Sequence, residues 1–256
     1  MDRAAEAVVA GLGLTLRAMA RLPSCGHLEL GGGSFLLMTG TEAASENWVF
    51  DRSRTLTGEK TARACSFFAG ANLPFVWPVL PDAGGAYRKE LERAGLPARG
   101  ELTAMARPAS LPDRRTPPLT FERAATEETA FRWAETTWRA FGSPSDAPAS
   151  FAALASGLGR DPDFRLILAC RDGEPVGTFM LSFAGAGAGV YYFATLPEER
   201  GKGVGAAMMK EVLRAASMSS GLVTLQATPS GAPFYASLGF EALFEIPLHS
   251  RAEEVF

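Results

Sequence analysis

The spacing of apolar residues near the start of the chain is helical. Val8, Leu12, Leu16 and Met19 lie four, four and three residues apart, which predicts an amphipathic helix over residues 3–21. Two glycines in its middle weaken this prediction. Short apolar runs bounded by turn residues, and further stretches of helical period, continue the pattern. The predicted strands are 27–30, 34–38, 47–51, 73–80 and 101–106, and the predicted helices are 57–69 and 82–94.

The alternation of strands and helices begins again after residue 118. Asp172-Gly173, between two apolar runs, favours a tight β-hairpin because a type I′ turn needs positive φ at both central residues. Val204, Met208 and Val212 lie on one face of a further predicted helix. The predicted strands are 119–123, 165–171, 174–183, 190–196, 222–228 and 240–248, and the predicted helices are 127–141, 146–158, 201–218 and 232–238.

A proline-rich segment separates these two patterns. Residues 108–118 contain four prolines among eleven residues and few large apolar side chains, which is typical of a stiff exposed linker. We therefore expect a smaller α/β domain over residues 1–107 and a second α/β domain over residues 119–256. The alternative is a long surface loop within one domain.

Composition indicates a folded protein and gives no indication that it binds nucleic acid. The chain has 256 residues, 47% of them hydrophobic and 21% charged, which excludes disorder as a general description. A formal net charge of −3 does not favour nucleic acid as a partner. No apolar run reaches the ~18 residues of a membrane span, and the first residues lack the cationic region of a signal peptide.

The cysteines and histidines do not predict a metal site or a disulfide framework. Cys25, Cys65 and Cys170 are odd in number and have no C-x-x-C spacing, and His27 and His249 are the only histidines. We therefore expect no metal, and a reducing, cytoplasmic location.

The segment with the most chemical information is a glycine-rich turn at residues 196–207. It follows a strand and opens a helix, so its backbone N–H groups suit a phosphate group. A dinucleotide motif can be written through Gly201, Gly203 and Ala206, but the carboxylate expected about 20 residues later is absent. The alternative is an ordinary turn with two solvated bases, Arg200 and Lys202.

Residues 190–206 resemble the acetyl-CoA signature of the GNAT superfamily of N-acetyltransferases, [Q/R]-x-x-G-x-[G/A] after a strand. Arg200, Gly203 and Gly205 occupy its positions. Residues 232–240, with Tyr235 in a helix that closes in Leu-Gly-Phe, look like the second signature of that family. The resemblance covers residues 119–248.

The resemblance implies acetyl-CoA as co-substrate, placed between splayed strands 190–196 and 222–228. Tyr235 would be the general acid for the departing thiolate. The alternative is that Tyr235 has no catalytic role and is a buried aromatic side chain of the core. The expected cofactor-binding residues are Phe193, Ala194 and Thr195 along the strand and Arg200, Gly201, Lys202, Gly203, Val204, Gly205 and Ala206 in the turn.

The strand departs from the family pattern, because residues 190–195 contain no carboxylate that could deprotonate the amine. Glu135 and Glu245 could approach the site, whereas Glu198 and Glu199 are better placed for capping or solvent. A water wire or an amine that binds in its neutral form would also suffice. The candidates for the substrate pocket are Trp138, Phe141, Tyr191 and Tyr192.

Residues 73–79 and 86–96 loosely echo the second signature, but the first half has no R-x-x-G-x-G motif. It resembles a degenerate GNAT-like repeat without acetyl-CoA binding; the alternative is an unrelated α/β domain.

The resemblance of residues 119–248 to the GNAT superfamily implies an α/β fold with a mixed sheet, and an enzyme in which an amine attacks acetyl-CoA directly. The alternative function is a non-catalytic acyl-CoA-binding or regulatory module. A small-molecule or peptide amine is the expected partner of a monomer or homodimer.

Overall fold

The computed structural model describes residues 3–111, 115–143, 146–219 and 221–255. Within them, seven α-helices and eleven strands form. The helices are α1 (Arg3–Met19), α2 (Gly58–Gly70), α3 (Gly85–Arg93), α4 (Glu127–Ala140), α5 (Ala149–Arg160), α6 (Val204–Ser217) and α7 (Ala232–Ser237). The strands are β1 (Gly26–Gly31), β2 (Ser34–Met38), β3 (Trp48–Phe50), β4 (Trp77–Pro78), β5 (Ala98–Pro108), β6 (Thr120–Arg123), β7 (Phe164–Arg171), β8 (Glu174–Ser182), β9 (Ala188–Thr195), β10 (Leu222–Ala227) and β11 (Glu241–His249).

Eight of the strands form one mixed sheet, in the order β4-β11-β5-β10-β9-β8-β7-β6. Only β9 and β10 run parallel, and the other neighbours are antiparallel. β5 precedes the proline-rich segment, yet Met105 pairs with Leu225 on one side and with Ala242 on the other. The sheet therefore contains residues from both halves of the sequence, and β1, β2 and β3 form a separate three-stranded sheet.

Helices cover both faces of the large sheet. One core cluster joins α1, α4 and α5 to the sheet and includes Leu12, Trp133 and Phe151. The other lies under α6 and includes Met208 and Val212. The two faces therefore differ in origin: α1, from the first half of the sequence, packs beside α4 and α5.

β9 has two irregularities that shape the middle of the sheet. Its parallel pairing with β10 is limited to Ala188–Val190 against Val223–Leu225, after which the two strands separate. The expected splay of these strands is thus present. Opposite β8, the register shifts between Thr178 and Met180, and Tyr192 has a φ of 48°. This β-bulge inserts a residue into β9 and re-aims the side chains on either side of it.

The predicted elements are present, but several differ in extent. The predicted helices 82–94 and 146–158 begin at Gly85 and Ala149. Only Trp77 and Pro78 of the predicted strand 73–80 pair within the large sheet, at its edge, where prolines without an N–H group are tolerated. Val76 forms an isolated parallel bridge with Trp48. The predicted helix 201–218 begins at Val204 because Gly201 and Gly203 have positive φ. β5 is longer than the predicted strand 101–106 and ends at Pro108.

The predicted Asp172-Gly173 hairpin is confirmed, since both residues have positive φ and Arg171 pairs with Glu174. Part of the proline-rich segment, residues 112–114, lies outside the described residues. The division at residues 107 and 119 stays a prediction. None of the described helices is long and apolar enough to cross a membrane.

Candidate active site

The glycine-rich turn ends at the amino terminus of α6. Gly201 and Gly203 have φ values of 77° and 79°, a region in which residues with a Cβ are strained. Gly203 is the N-cap of α6, and the first bond of the helix runs from the Ala207 N–H to the Gly203 carbonyl. The N–H groups of the first turn therefore have no partner inside the helix, which is the arrangement that binds anions.

The side chain of Arg200 holds this turn in place. Its Nη2 donates to the Ala140 carbonyl at 2.8 Å, and its Nε donates to the Thr195 carbonyl at 3.3 Å. These bonds connect the turn to the end of α4 and to the end of β9. Lys202 pairs with Glu199 at 3.0 Å. Because Arg200 and Lys202 have these partners, the backbone N–H groups of the turn are the groups available to a phosphate.

The separation of β9 from β10 opens a cleft in the centre of the sheet. Residues 188–190 are buried, whereas residues 191–193 are partly exposed, although β9 is an interior strand. The ring of Phe193 packs against Phe234 and Tyr235 of α7, with centroids 6.1 and 5.9 Å apart. Ala194 is buried and Thr195 is partly exposed. The β9 edge that faces β10 therefore has no strand partner beyond Val190.

Tyr235 lies on α7 within an aromatic group. Its ring centroid is 5.2 Å from that of Phe234 and 5.7 Å from that of Phe240. Burial raises the pKa of the Tyr235 phenol above its ordinary value. The phenol therefore stays protonated at neutral pH, as a proton donor must.

Because of the bulge, the side chains of Tyr191 and Tyr192 lie on the face of the sheet opposite to that of Phe193. Both pack with the cluster under α1, α4 and α5, whereas Phe193 packs with the cluster under α6. The Tyr192 ring contacts Trp133 and Phe151, with centroids 5.4 and 5.6 Å apart.

Two further pocket candidates lie near the end of α4. The Trp138 ring packs against Phe151 in a tilted arrangement, with centroids 5.4 Å apart, and its buried Nε1 has no hydrogen-bond partner among the described residues. Phe141 is 62% exposed. Three of the four predicted pocket residues, Trp138, Tyr191 and Tyr192, thus pack with the same core cluster, and Phe141 projects into solvent.

The carboxylates considered from the sequence have other partners. Glu135 accepts from the Ala147 N–H at 3.0 Å. Glu245 accepts from Thr103 Oγ1 at 3.0 Å, and Thr103 pairs with Ala227, which belongs to the cluster under α6. Glu245 therefore lies on the face opposite Tyr191 and Tyr192. Glu198 pairs with Arg139, and Glu199 pairs with Arg171 and Lys202.

A carboxylate that sequence reasoning missed reaches the bulge from the first half of the chain. The Tyr192 hydroxyl donates to Glu46 Oε2 at 2.7 Å. Burial raises the pKa of Glu46 to about 7, against the lowering effect of the Tyr192 hydrogen bond. No local motif marks Glu46, since it lies in a polar turn at Ala44–Glu46.

Comparison with known proteins finds a family match within the second half of the chain. Residues 162–242 match the family model described as Acetyltransferase (GNAT) domain. The chain contains a GNAT acetyltransferase domain. The matched residues include β9, the glycine-rich turn, α6 and α7, and therefore Tyr235. No curated protein sequence matches the chain.

Solved GNAT structures share the fold over nearly the whole chain. A GCN5-related N-acetyltransferase from Kribbella flavida has a TM-score of 0.67 and 18% identity, over 98% of this chain and 96% of that one. One from Sphaerobacter thermophilus has a TM-score of 0.55 and 15% identity, over 97% and 93%. A tandem GNAT protein from the clavulanic acid biosynthesis pathway has a TM-score of 0.57 and 16% identity, over 95% and 94%. This likeness supports a two-domain GNAT arrangement.

The matched GNAT residues do not include the whole candidate site. Trp138, in α4, and Glu46 lie before residue 162, where the family model begins. Gln226, in β10, lies within the match and follows the last residue that pairs with β9. Its buried Nε2 has no hydrogen-bond partner among the described residues. The match thus includes the glycine-rich turn, Tyr191, Tyr192 and Tyr235, but neither Trp138 nor Glu46.

Proposed function

We propose that the protein transfers an acetyl group from acetyl-CoA to an amine by direct attack. The observation that carries the proposal is the cleft where β9 leaves β10, with a glycine-rich turn at one end and Tyr235 beside it. The match of residues 162–242 to a GNAT acetyltransferase domain supports an acyltransferase. Acetyl-CoA as donor and an amine as acceptor are the finer parts of the proposal.

The residues of the turn fit a pyrophosphate. A Cβ added at Gly201 would meet nothing within 4 Å, so the backbone is open to a ligand there. The N–H groups of residues 201–206 bind the pyrophosphate, and Arg200 keeps the turn in position. Phe193, Ala194 and Thr195 offer backbone groups to the pantetheine arm, in place of the β10 partner that they lack.

The chemistry needs two proton movements. The acceptor nitrogen forms a bond to the carbonyl carbon of the acetyl thioester, while backbone N–H groups near β9 stabilise the oxyanion. The carbon–sulfur bond then breaks, and Tyr235 protonates the departing thiolate. The proton that the nitrogen loses on becoming an amide restores the phenol, so protons balance.

A second candidate function is a non-catalytic acyl-CoA-binding or regulatory module. The absence of a carboxylate from residues 190–195 favours it. Tyr235 favours the enzyme, because its hydroxyl makes no side-chain hydrogen bond to another described residue and is free to serve a substrate.

The thiols of Cys25, Cys65 and Cys170 are free, and we infer from them a reducing, cytoplasmic location.

The test combines acetyl-CoA calorimetry with thiol release in the presence of a panel of amines. Tyr235→Phe should leave the acetyl-CoA Kd unchanged and lower kcat by about 100-fold or more, since general acid catalysis contributes that much. If acetyl-CoA binds but no amine is acetylated, the regulatory module is the correct function. If Tyr235→Phe keeps full kcat, the assignment of the acid is wrong.

A further inference from the structure

Glu46 and Tyr192 form a polar pair in an otherwise aromatic region of the cleft. Trp133 and Phe151 are each 1% exposed, and both contact the Tyr192 ring edge to face. They fix the ring, and the ring in turn presents its hydroxyl to Glu46 at 2.7 Å. Glu46 as a whole residue is only partly buried.

The segment that carries Glu46 is rigidly held by its neighbour Asn47, which is fully buried. The Asn47 amide donates to the carbonyls of Thr41 and Pro74, each at 2.8 Å, and accepts from the Thr39 N–H at 3.0 Å. The segment also touches α5, where Thr41 Oγ1 and Ser150 Oγ are 3.3 Å apart. Such support is expected for a positioned functional group and is unnecessary for a solvated turn.

The charge around Glu46 is uncompensated. Among the described residues, Tyr192 is the one hydrogen-bond partner of the Glu46 carboxylate, and no lysine or arginine forms an ion pair with it. The titratable groups that face it are Tyr192 and the Cys25 thiol, both of which are neutral at pH 7. An ionised carboxylate of this kind gains stability when a cation binds beside it.

We propose that Glu46 binds the ammonium group of the acceptor and removes its proton, so that the first half of the chain completes the acceptor site. This inference rests on the proposed acetyl transfer. Glu46 lies on the face of β9 that carries Tyr191 and Tyr192, and the amine attacks the thioester held along the same strand. The transfer consumes an ammonium and acetyl-CoA and yields an amide, the free thiol and one proton, which Glu46 passes to solvent.

The same charges specify the class of acceptor. A substrate with a carboxylate next to its amine would bring a second negative charge close to Glu46, with no described cation to offset it. Tyr191, Tyr192 and Trp138 offer apolar surface on this side of the cleft. The site therefore takes a primary amine that has an apolar substituent and no adjacent carboxylate.

The experiment uses phenethylamine and phenylalanine, which differ only by that carboxylate. We expect phenethylamine to bind and to be acetylated at least 10-fold more efficiently in kcat/KM than phenylalanine. Equal efficiencies would overturn the acceptor class.

Glu46→Gln should lower kcat/KM for phenethylamine by about 100-fold or more and weaken its binding in calorimetry. Glu42→Gln is the matched control, because Glu42 is exposed on the same segment, and it should leave both unchanged. Tyr192→Phe should move the rising limb of the pH profile to higher pH, because the Tyr192 hydrogen bond lowers the pKa of Glu46.

These readouts separate the two proposals. If phenethylamine binds the wild-type protein and Glu46→Gln equally well, or if Glu46→Gln keeps its activity, the role of Glu46 is wrong and acetyl transfer stands. If phenethylamine binds through Glu46 but acetyl-CoA releases no thiol with any amine, the proposed transfer fails and the ammonium site stands.

Discussion

Thr15 of α1 donates a 2.7 Å hydrogen bond to Ser182 of β8, although 167 residues separate them in the sequence. Both side chains are buried, at 1% and 2% exposure. The bond fixes α1, from the first half of the chain, to the sheet of the GNAT domain. Thr15 also lowers the pKa of the Tyr191 phenol, against the larger raising effect of burial, so this contact lies close to Tyr191.

Thr15→Val should destabilise the protein by about 1–3 kcal/mol, because it keeps the shape and leaves the buried Ser182 hydroxyl without its donor. Urea denaturation of Thr15→Val, Ser182→Ala and the double variant measures the coupling. We expect the double variant to lose less than the sum of the single variants. Strict additivity would show that the bond contributes nothing.

Gly11 and Gly13 of α1 offer a matched pair of substitutions. A Cβ at Gly13 would lie 2.4 Å from the Phe50 ring, whereas a Cβ at Gly11 would meet nothing within 4 Å. Gly13→Ala should therefore cost about 1–3 kcal/mol through overpacking. Gly11→Ala should stabilise the helix by up to about 1 kcal/mol. Thermal unfolding of the two variants checks the opposite signs, and a shared sign contradicts this account of the packing.

Gly203→Asp should abolish acetyl-CoA binding, because it places a negative charge beside the N–H groups expected to hold the pyrophosphate. Gly203→Ala is the control for backbone strain, since Gly203 has a φ of 79° and a Cβ there would lie 3.1 Å from Pro117. Calorimetry should show a much larger loss for the aspartate than for the alanine, with circular dichroism unchanged. If the two variants bind acetyl-CoA with equal affinity, the pyrophosphate does not bind at this turn.

Asp51→Asn should show a pH-dependent loss of stability. Burial opposes ionisation of Asp51, but hydrogen bonds from Ser34, Ser53 and Tyr87 outweigh it and hold the pKa of the carboxyl below its ordinary 3.8. The lowered folded-state pKa stabilises the protein above about pH 4, and this stabilisation is lost as the pH falls through the folded-state value.

At pH 7, Asp51→Asn should cost about 3–5 kcal/mol, because it leaves Lys60 Nζ, 3.2 Å away, without its counter-charge. The difference from the wild-type protein should shrink when denaturation is repeated at about pH 3. Asp82→Asn, at an exposed position, serves as the control and should change little at either pH. A difference that is constant with pH would mean that the pKa of the Asp51 carboxyl is the same in the folded and the unfolded protein.

Local patterns predicted most of the elements, because turn chemistry and periodicity act within a few residues. The Asp172-Gly173 hairpin and the helix that carries Val204, Met208 and Val212 are examples. The prolines at 74 and 78 also indicated an edge position, and β4 lies at the edge of the large sheet.

Features that depend on distant partners could not be predicted in this way. Nothing within residues 98–108 indicates that this strand pairs between β10 and β11. Similarly, Glu46 and Tyr192 meet across 146 residues, through a bulge whose register depends on β8. The glycine-rich turn was therefore predictable, because a contiguous motif marks it, whereas the contact between Glu46 and Tyr192 was not.

The position of β5 also governs how the chain can be made. Both of its neighbours, β10 and β11, lie more than a hundred residues later in the sequence. During synthesis, β5 leaves the ribosome before either of its partner strands, so the backbone hydrogen-bonding groups of both its edges are unpaired until β10 and β11 have emerged. Pairing of this kind has a high contact order and is slow, and exposed strand edges invite association with other chains. The two edges of β5 therefore stay unpaired until β10 and β11 have been made.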